Sequence, residues 1–352
     1  MKKLRVGIIG SGGIAQTKHI PNYLKCSDDV EIVAVCDVNL LRAQECSEKW
    51  GIPNYYSDYH EMLNELEIDA ISVCTPNKFH AEITKAALKA GCHVLCEKPP
   101  AISVQEAEEM AQTARDVNKF LTFGFHYRHS PEVDLLKEYV KNDEFGSIYA
   151  SRAQAVRRRG IPGWGVFTNK ELQGGGALID IGVHMLDTAL YLMGYPEPDT
   201  VLGVTYQKIG NKKGVGLMGD WDWENFSVED FSRGMIIFKD GSSLSLDAAF
   251  AANVEQDEVM QVSLMGDKGG ADVFPVKIFQ EKYNSLIDTT PAYMPEVDYH
   301  EIQFKRFVDC CIHNIEPISK PEEAVILQKI INGLYESAAT GEAVKIKQKQ
   351  QI

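Results

Sequence analysis

The chain has no opening segment in which basic, strongly apolar and small residues follow one another as in an export leader. It also has no apolar run near the ~18 residues that a membrane-spanning helix needs. Those absences lead to the expectation of a cytoplasmic protein with no membrane partner. Positive charge is in deficit, with 36 basic residues against 50 acidic ones and a formal net charge of −14, which argues against nucleic acid or an anionic surface as partner. Paired metal-ligand spacing is missing too. Cys92-His93 with Cys96, and Cys310-Cys311 with His313, hold the right residue types without the spacing of a structural zinc site, so no metal is expected. Cys36, Cys74 and Cys96 fall in apolar runs and read as core.

What is present suits two domains: 352 residues with 44% apolar content can bury two ordinary cores. A strand-like Leu4–Ile9 runs into Gly10-Ser11-Gly12-Gly13-Ile14-Ala15 and then a helical start. Glycines there permit a tight turn and close approach of backbone to a pyrophosphate, and Ala15 permits close helix–strand packing. A second strand, Glu31–Cys36, ends in Asp37 at about the ~20-residue separation of a dinucleotide fingerprint. The Asp37 carboxylate accepts from a ribose 2′-hydroxyl and repels a 2′-phosphate, and no cation follows until Arg42, so NAD is expected over NADP.

Helix and strand alternate onward to Phe125. The turn Thr75-Pro76-Asn77, in which Asn77 is expected to cap the next helix, should bring Thr75, Asn77 and His80 to the ligand crevice. The run His93–Cys96 stops at Glu97-Lys98-Pro99-Pro100, which sets Lys98 at a strand's carboxyl edge, where open α/β sheets bind ligands. A partly desolvated amine there can donate to a reacting oxygen or carry a proton. Cofactor contacts are thus expected from Gly10, Gly12, Gly13, Ile14, Asp37, Thr75, Pro76, Asn77, His80, Glu97 and Lys98.

The second half carries longer alternating runs, Ser147–Val156, Val201–Ile209, Phe226–Phe238, Ser243–Ala249 and Gln261–Met265, which predict an antiparallel sheet with a hairpin at Lys239-Asp240-Gly241. Between the first two lies Gly174-Gly175-Gly176 followed by Asp180, His184 and Asp187. At helical spacing Asp180 and His184 share a face, so the carboxylate can orient the imidazole. His126 and Arg128 after the last strand of the first half, and Arg157 and Trp164 after the first strand of the second, offer donors and an indole face suited to a polyol.

The fingerprint turn, Thr75-Pro76-Asn77 with His80, Glu97-Lys98-Pro99, Phe123-Gly124-Phe125, the Gly-Gly-Gly…Asp180…His184 stretch and the closing Glu336-Ser337-Ala338…Thr340-Gly341 resemble the family of glucose–fructose oxidoreductase, inositol dehydrogenase and the rhizopine-catabolism oxidoreductases. The resemblance covers essentially the whole chain. It implies an α/β protein: an N-terminal Rossmann dinucleotide-binding domain (1–125) and a C-terminal α+β substrate domain (126–352) with a large, mostly antiparallel open sheet. Helical segments at His300–Cys311 and Pro321–Thr340 resemble elements that pack back on the first domain, leaving a sheet face for a homodimer or homotetramer. The resemblance gives catalysis to Lys98, Asp180 and His184 and, as substrate, one carbinol of a sugar or cyclitol. Chemically, His184 then suits the general base, Asp180 holds its ring and Lys98 stabilises the carbinol oxygen, with Asp180, His184, His126, Arg128, Arg157 and Trp164 around the substrate. Two other readings stay open: a redox-assisted glycosidase with retained NAD, and an inactive NAD-binding regulator.

Overall fold

The computed structural model describes residues 2–346. The chain divides into two compact units, one running to His129 and including Val297–Val325, the other made of Ser130–Glu296 and residues from Ile326 onward. The expected boundary at 125/126 therefore moves to 129/130, and the first unit also takes in a later segment.

The first unit is a six-stranded parallel sheet of β1 (Leu4–Ile9), β2 (Val30–Cys36), β3 (Asn54–Tyr56), β4 (Ala70–Val73), β5 (His93–Cys96) and β6 (Leu121–Phe123), in the order β3-β2-β1-β4-β5-β6. Its central strands are covered on both faces, which explains their mainly apolar sequence; all four residues of β4 are buried. Connecting helices begin on the local signals that their sequences carry. Asn39 accepts from Arg42 N ahead of Leu40–Trp50, and Ser103 forms a capping box with Glu106 ahead of Val104–Val117. One expectation fails here. Asn77 is not the residue that precedes the helix; it opens a 3₁₀ turn, Asn77–Phe79, and the helix proper starts at His80, because Pro76 holds extended backbone just before it.

The second unit is built on a nine-stranded sheet of β7 (Ile148–Arg157), β8 (Pro198–Tyr206), β9 (Phe231–Phe238), β10 (Ser243–Ala249), β11 (Glu258–Gly266), β12 (Gly269–Asp272), β13 (Lys277–Lys282), β14 (Ser285–Thr289) and β15 (Val344–Lys345). Its order is β14-β13-β12-β11-β7-β10-β9-β8-β15, antiparallel throughout except for β7 beside β10. The hairpin at 239–241 joins β9 to β10 as expected. β8 stops at Tyr206 and β9 starts only at Phe231. The reason is Asp230, whose Oδ2 accepts from the backbone N–H groups of Lys208, Ile209 and Gly210 at 2.6–2.7 Å and draws that segment out of the ladder.

Helical segments Leu178–Gly182 and Val183–Met193 lie against this sheet, preceded by the short helix Lys170–Gln173. Taken together, the 24 residues Lys170–Met193 are long and apolar enough to cross a membrane, contrary to the expectation that no such run exists. Within the unit, 89% of that apolar window is buried, as in a core helix. The helix Pro321–Thr340 also departs from expectation, since only residues through Val325 belong to the first unit. Its later part packs on β8 and β9, where Gly203 and Gly234 leave bare backbone for Leu334, and Ser337 Oγ accepts from Gly203 N at 2.9 Å.

Candidate active site

In the first unit the fingerprint turn is shaped by Gly10, whose φ is +93° and whose absent β-carbon would lie 2.6 Å from the Cys74 carbonyl. Only glycine permits that approach between the ends of β1 and β4. Gly12 and Gly13 face open space, so the turn keeps room for another group against its backbone. The helix after it begins with a π turn, Ala15–His19. Asp37, at the end of β2, is buried; Oδ2 accepts from Ser11 N and Oγ, both at 3.0 Å, and Oδ1 from Asn39 N at 3.0 Å. The Arg42 guanidinium lies 3.5 Å away, so this cation is committed to Asp37.

Thr75 lies just past β4, and its Oγ1 is buried with no hydrogen-bond partner among the described residues. His80 does not meet the expectation of facing a ligand. It is fully buried, with Nδ1 2.7 Å from Pro99 O and Nε2 2.9 Å from Thr75 O, and burial lowers its pKa. The ring lies between the turns after β4 and β5, and in its neutral form the single N–H donates to one of the two carbonyls. Lys98 is half-buried one residue beyond Glu97, at the carboxyl end of β5. Glu97, expected among the cofactor contacts, turns its carboxylate inward to His19 Nε2 at 2.9 Å. Burial alone would raise its pKa, but the His19 hydrogen bond and the charges nearby hold it down at about 2.

Of the two residues expected to meet substrate after β6, Arg128 is ruled out by burial. Its guanidinium is fully enclosed, donating to Glu323 Oε2 at 2.5 Å and to Ile318 O at 2.9 Å over the Phe125 ring. A buried arginine with these partners fastens Val297–Val325 to the sheet. His126 stacks on His300, with centroids 4.1 Å apart, and burial followed by the His300 charge pushes its pKa well down.

In the second unit Asp180 and His184 are both buried, each 8% exposed, and Asp180 sits in the π turn Leu178–Gly182 directly ahead of the helix that carries His184. The extra residue of a π turn re-aims side chains relative to a plain helix, and such turns are frequent at functional sites. Two of the three glycines before it are needed for space: a β-carbon on Gly175 would overlap the Tyr335 hydroxyl, and one on Gly176 the Glu229 carbonyl oxygen, while Gly174 ends the preceding helical turn at a φ of +80°. Glu229 caps this helical start by accepting from Gly176 N at 2.9 Å, Leu178 N at 3.0 Å and Tyr335 Oη at 2.9 Å. Asp187 instead accepts from Tyr195 Oη at 2.5 Å. Arg157 donates to Glu258 at 2.7 Å, and Trp164 is 53% exposed.

Two family patterns cover nearly all of this chain: "Oxidoreductase family, NAD-binding Rossmann fold" over residues 4–125, and "Oxidoreductase family, C-terminal alpha/beta domain" over 137–346. The chain belongs to this oxidoreductase family. Among its relatives, D-glucoside 3-dehydrogenase of Escherichia coli (strain K12) is 43% identical over 343 residues, 97% of each chain. Myo-inositol 2-dehydrogenase of Thermotoga maritima is 28% identical over 310 residues, 84% of this chain and 88% of that one. A levoglucosan dehydrogenase solved with NADH superposes with a TM-score of 0.85 at 23% identity, covering 99% of this chain and 100% of that one, which shows the shared fold.

As a family member the chain is an NAD-binding oxidoreductase, and its own residues fit that cofactor. The open backbone at Gly12 and Gly13, the buried Asp37 at the end of β2 and the unpartnered Thr75 hydroxyl would hold it. Three structural partners escape sequence reasoning. Glu229 lies 53 residues from Gly176, His19 is 78 residues from Glu97 and Glu323 is 195 residues from Arg128, so no local pattern connects them.

Proposed function

We propose that the protein oxidises a secondary carbinol of a D-glucoside, at carbon 3, with NAD rather than NADP. The observation that carries this reading is the 43% identity to D-glucoside 3-dehydrogenase, maintained across 97% of both chains. When bound, NAD supplies the carbon that accepts hydride. The chain's residues do the rest of the chemistry. His184 takes the hydroxyl proton on an imidazole nitrogen, and Asp180 holds its ring. Lys98 donates to the same oxygen and stabilises the negative charge that grows there as the proton leaves. Trp164 supplies an apolar face toward the sugar, and Arg157, whose Nε is engaged by Glu258, offers the other N–H groups of its guanidinium. The preference for NAD follows from Asp37, and Arg42 reinforces it, because a guanidinium already paired with a carboxylate is not available to a 2′-phosphate. The subunits are proposed to associate as a homodimer or homotetramer through the uncovered sheet face.

The test is NADH formation from methyl D-glucosides, inositols and anhydrosugars in parallel, with the carbonyl located by NMR. Catalytic NADH production from a glucoside with the ketone at carbon 3 is expected. A ketone elsewhere, faster turnover of a cyclitol, or glycoside cleavage without net NADH would overturn the assignment.

A further inference from the structure

A carboxylate that is 9% exposed and a histidine that is fully buried meet directly beneath the lysine to which chemistry has been assigned, and neither belongs to the proton transfer described above. Glu97 Oε1 lies 2.9 Å from His19 Nε2, while Oε2 accepts from the backbone N–H of Lys98 at 3.3 Å. An ionised carboxylate only accepts, so Nε2 is the donor; Nδ1 of the ring is buried with no hydrogen-bond partner among the described residues. The pair is packed closely. A β-carbon on Gly124 would come within 2.9–3.0 Å of the carboxylate, and the Phe304 ring meets His19 edge-on at 4.7 Å. Lys98 and His300 also act on Glu97, the charge of Glu97 is felt in turn by Cys74, His80, Cys96 and His126, and His300 stacks on His126. His19 itself ends the π turn that follows the glycine fingerprint, so the added residue of that turn is what aims the ring at β5.

We propose that His19 and Glu97 form a buried positioning pair that fastens the Lys98 turn to the fingerprint helix and so sets where the Lys98 ammonium acts. The inference rests on the reading of Lys98 as a catalytic residue, and extends it to a residue 79 positions earlier that contacts no reacting atom. A buried charge must be paired to stay ionised, and Glu97 uses that pairing to hold the Lys98 amide with its second oxygen. If the pair is broken, the turn loses both anchors, and a misplacement of about 1 Å at a reacting group costs roughly 10²-fold in rate.

The experiment compares Glu97→Gln, His19→Gln and His19→Asn with Lys98→Ala as reference. Glutamine at 19 can reach with an amide N–H about as far as Nε2 does, whereas asparagine is too short. Glu97→Gln and His19→Asn should lower kcat for a glucoside by about tenfold or more, with KM and the NAD dissociation constant within about threefold of wild type; His19→Gln should stay within about threefold throughout. A second readout is independent of turnover. With Glu97 held at about 2 against 4.5 for an ordinary glutamate, wild type should lose stability to urea as pH falls from about 4.5 towards 2, and Glu97→Gln should lose much less over that window. The proposal is overturned if Glu97→Gln keeps wild-type kcat while Lys98→Ala is inactive, or if His19→Gln is as slow as His19→Asn. Activity retained by Lys98→Ala would instead sink the parent reading, and the acid limb would then report on the pair alone.

Discussion

At the scale of single residues, burial separates charged groups that look alike in sequence. Lys98 is half-buried at a strand's carboxyl end, whereas Arg128 is enclosed against Glu323. Lys98→Ala and His184→Ala should fold, bind NAD and lose about 10²–10⁴-fold in turnover, measured as NADH production under saturating glucoside. Retention of more than about a tenth of the rate would mean under ~1.4 kcal/mol of lost stabilisation and would remove the residue from its role. Arg128→Met should instead destabilise the fold by roughly 3–5 kcal/mol, read by urea denaturation, because Glu323 is left as a partly buried charge without its partner. For Asp37→Ala, the ratio of NADP to NAD dissociation constants should shrink as the repulsive carboxylate goes and Arg42 is released; an unchanged ratio would remove Asp37 from cofactor selection.

At the scale of elements, two helical starts carry the design. Each begins with a π turn, Ala15–His19 and Leu178–Gly182, and each follows glycines. The glycines were legible as points of close approach, but their partners were not. Gly176 is held by Glu229, and a β-carbon there would overlap that residue's carbonyl oxygen. Gly176→Ala should therefore shift the start of the Asp180 helix and lower both the melting temperature and kcat. A variant with wild-type stability and rate would show that the segment yields freely. The same scale explains Asn77, whose residue type suggests a helix cap while Pro76 and the buried His80 set a 3₁₀ turn instead.

At the scale of the whole molecule, the sheet of the second unit has a covered face and an uncovered one. Leu202, Val204, Tyr206, Met235 and Ile237 on β8 and β9 alternate with buried neighbours and are 40–50% exposed. An apolar surface of that kind is what the proposed association would cover. Sedimentation at micromolar concentration should show two or four chains, and Val204→Asp with Ile237→Asp should shift the protein towards monomer. A wild-type monomer would exclude the proposed assembly.

The sequence by itself determined the parallel sheet of the first half, the antiparallel sheet of the second, the glycine fingerprint, the capping of Val104–Val117 and the position of Lys98 after β5, because each depends on a periodicity or a turn signal a few residues long. Tertiary structure decided what the buried polar groups do. His80 came to lie between two backbone carbonyls, Arg128 became a fastener for Val297–Val325, and Glu97 a partner for His19. It also placed most of the helix Pro321–Thr340 with the second sheet, where two glycines make room for Leu334. The physical reason is common to the three polar groups. A polar or charged side chain taken out of water must be satisfied by whatever the fold brings within hydrogen-bonding distance, and here those partners lie 5 to 195 residues away along the chain.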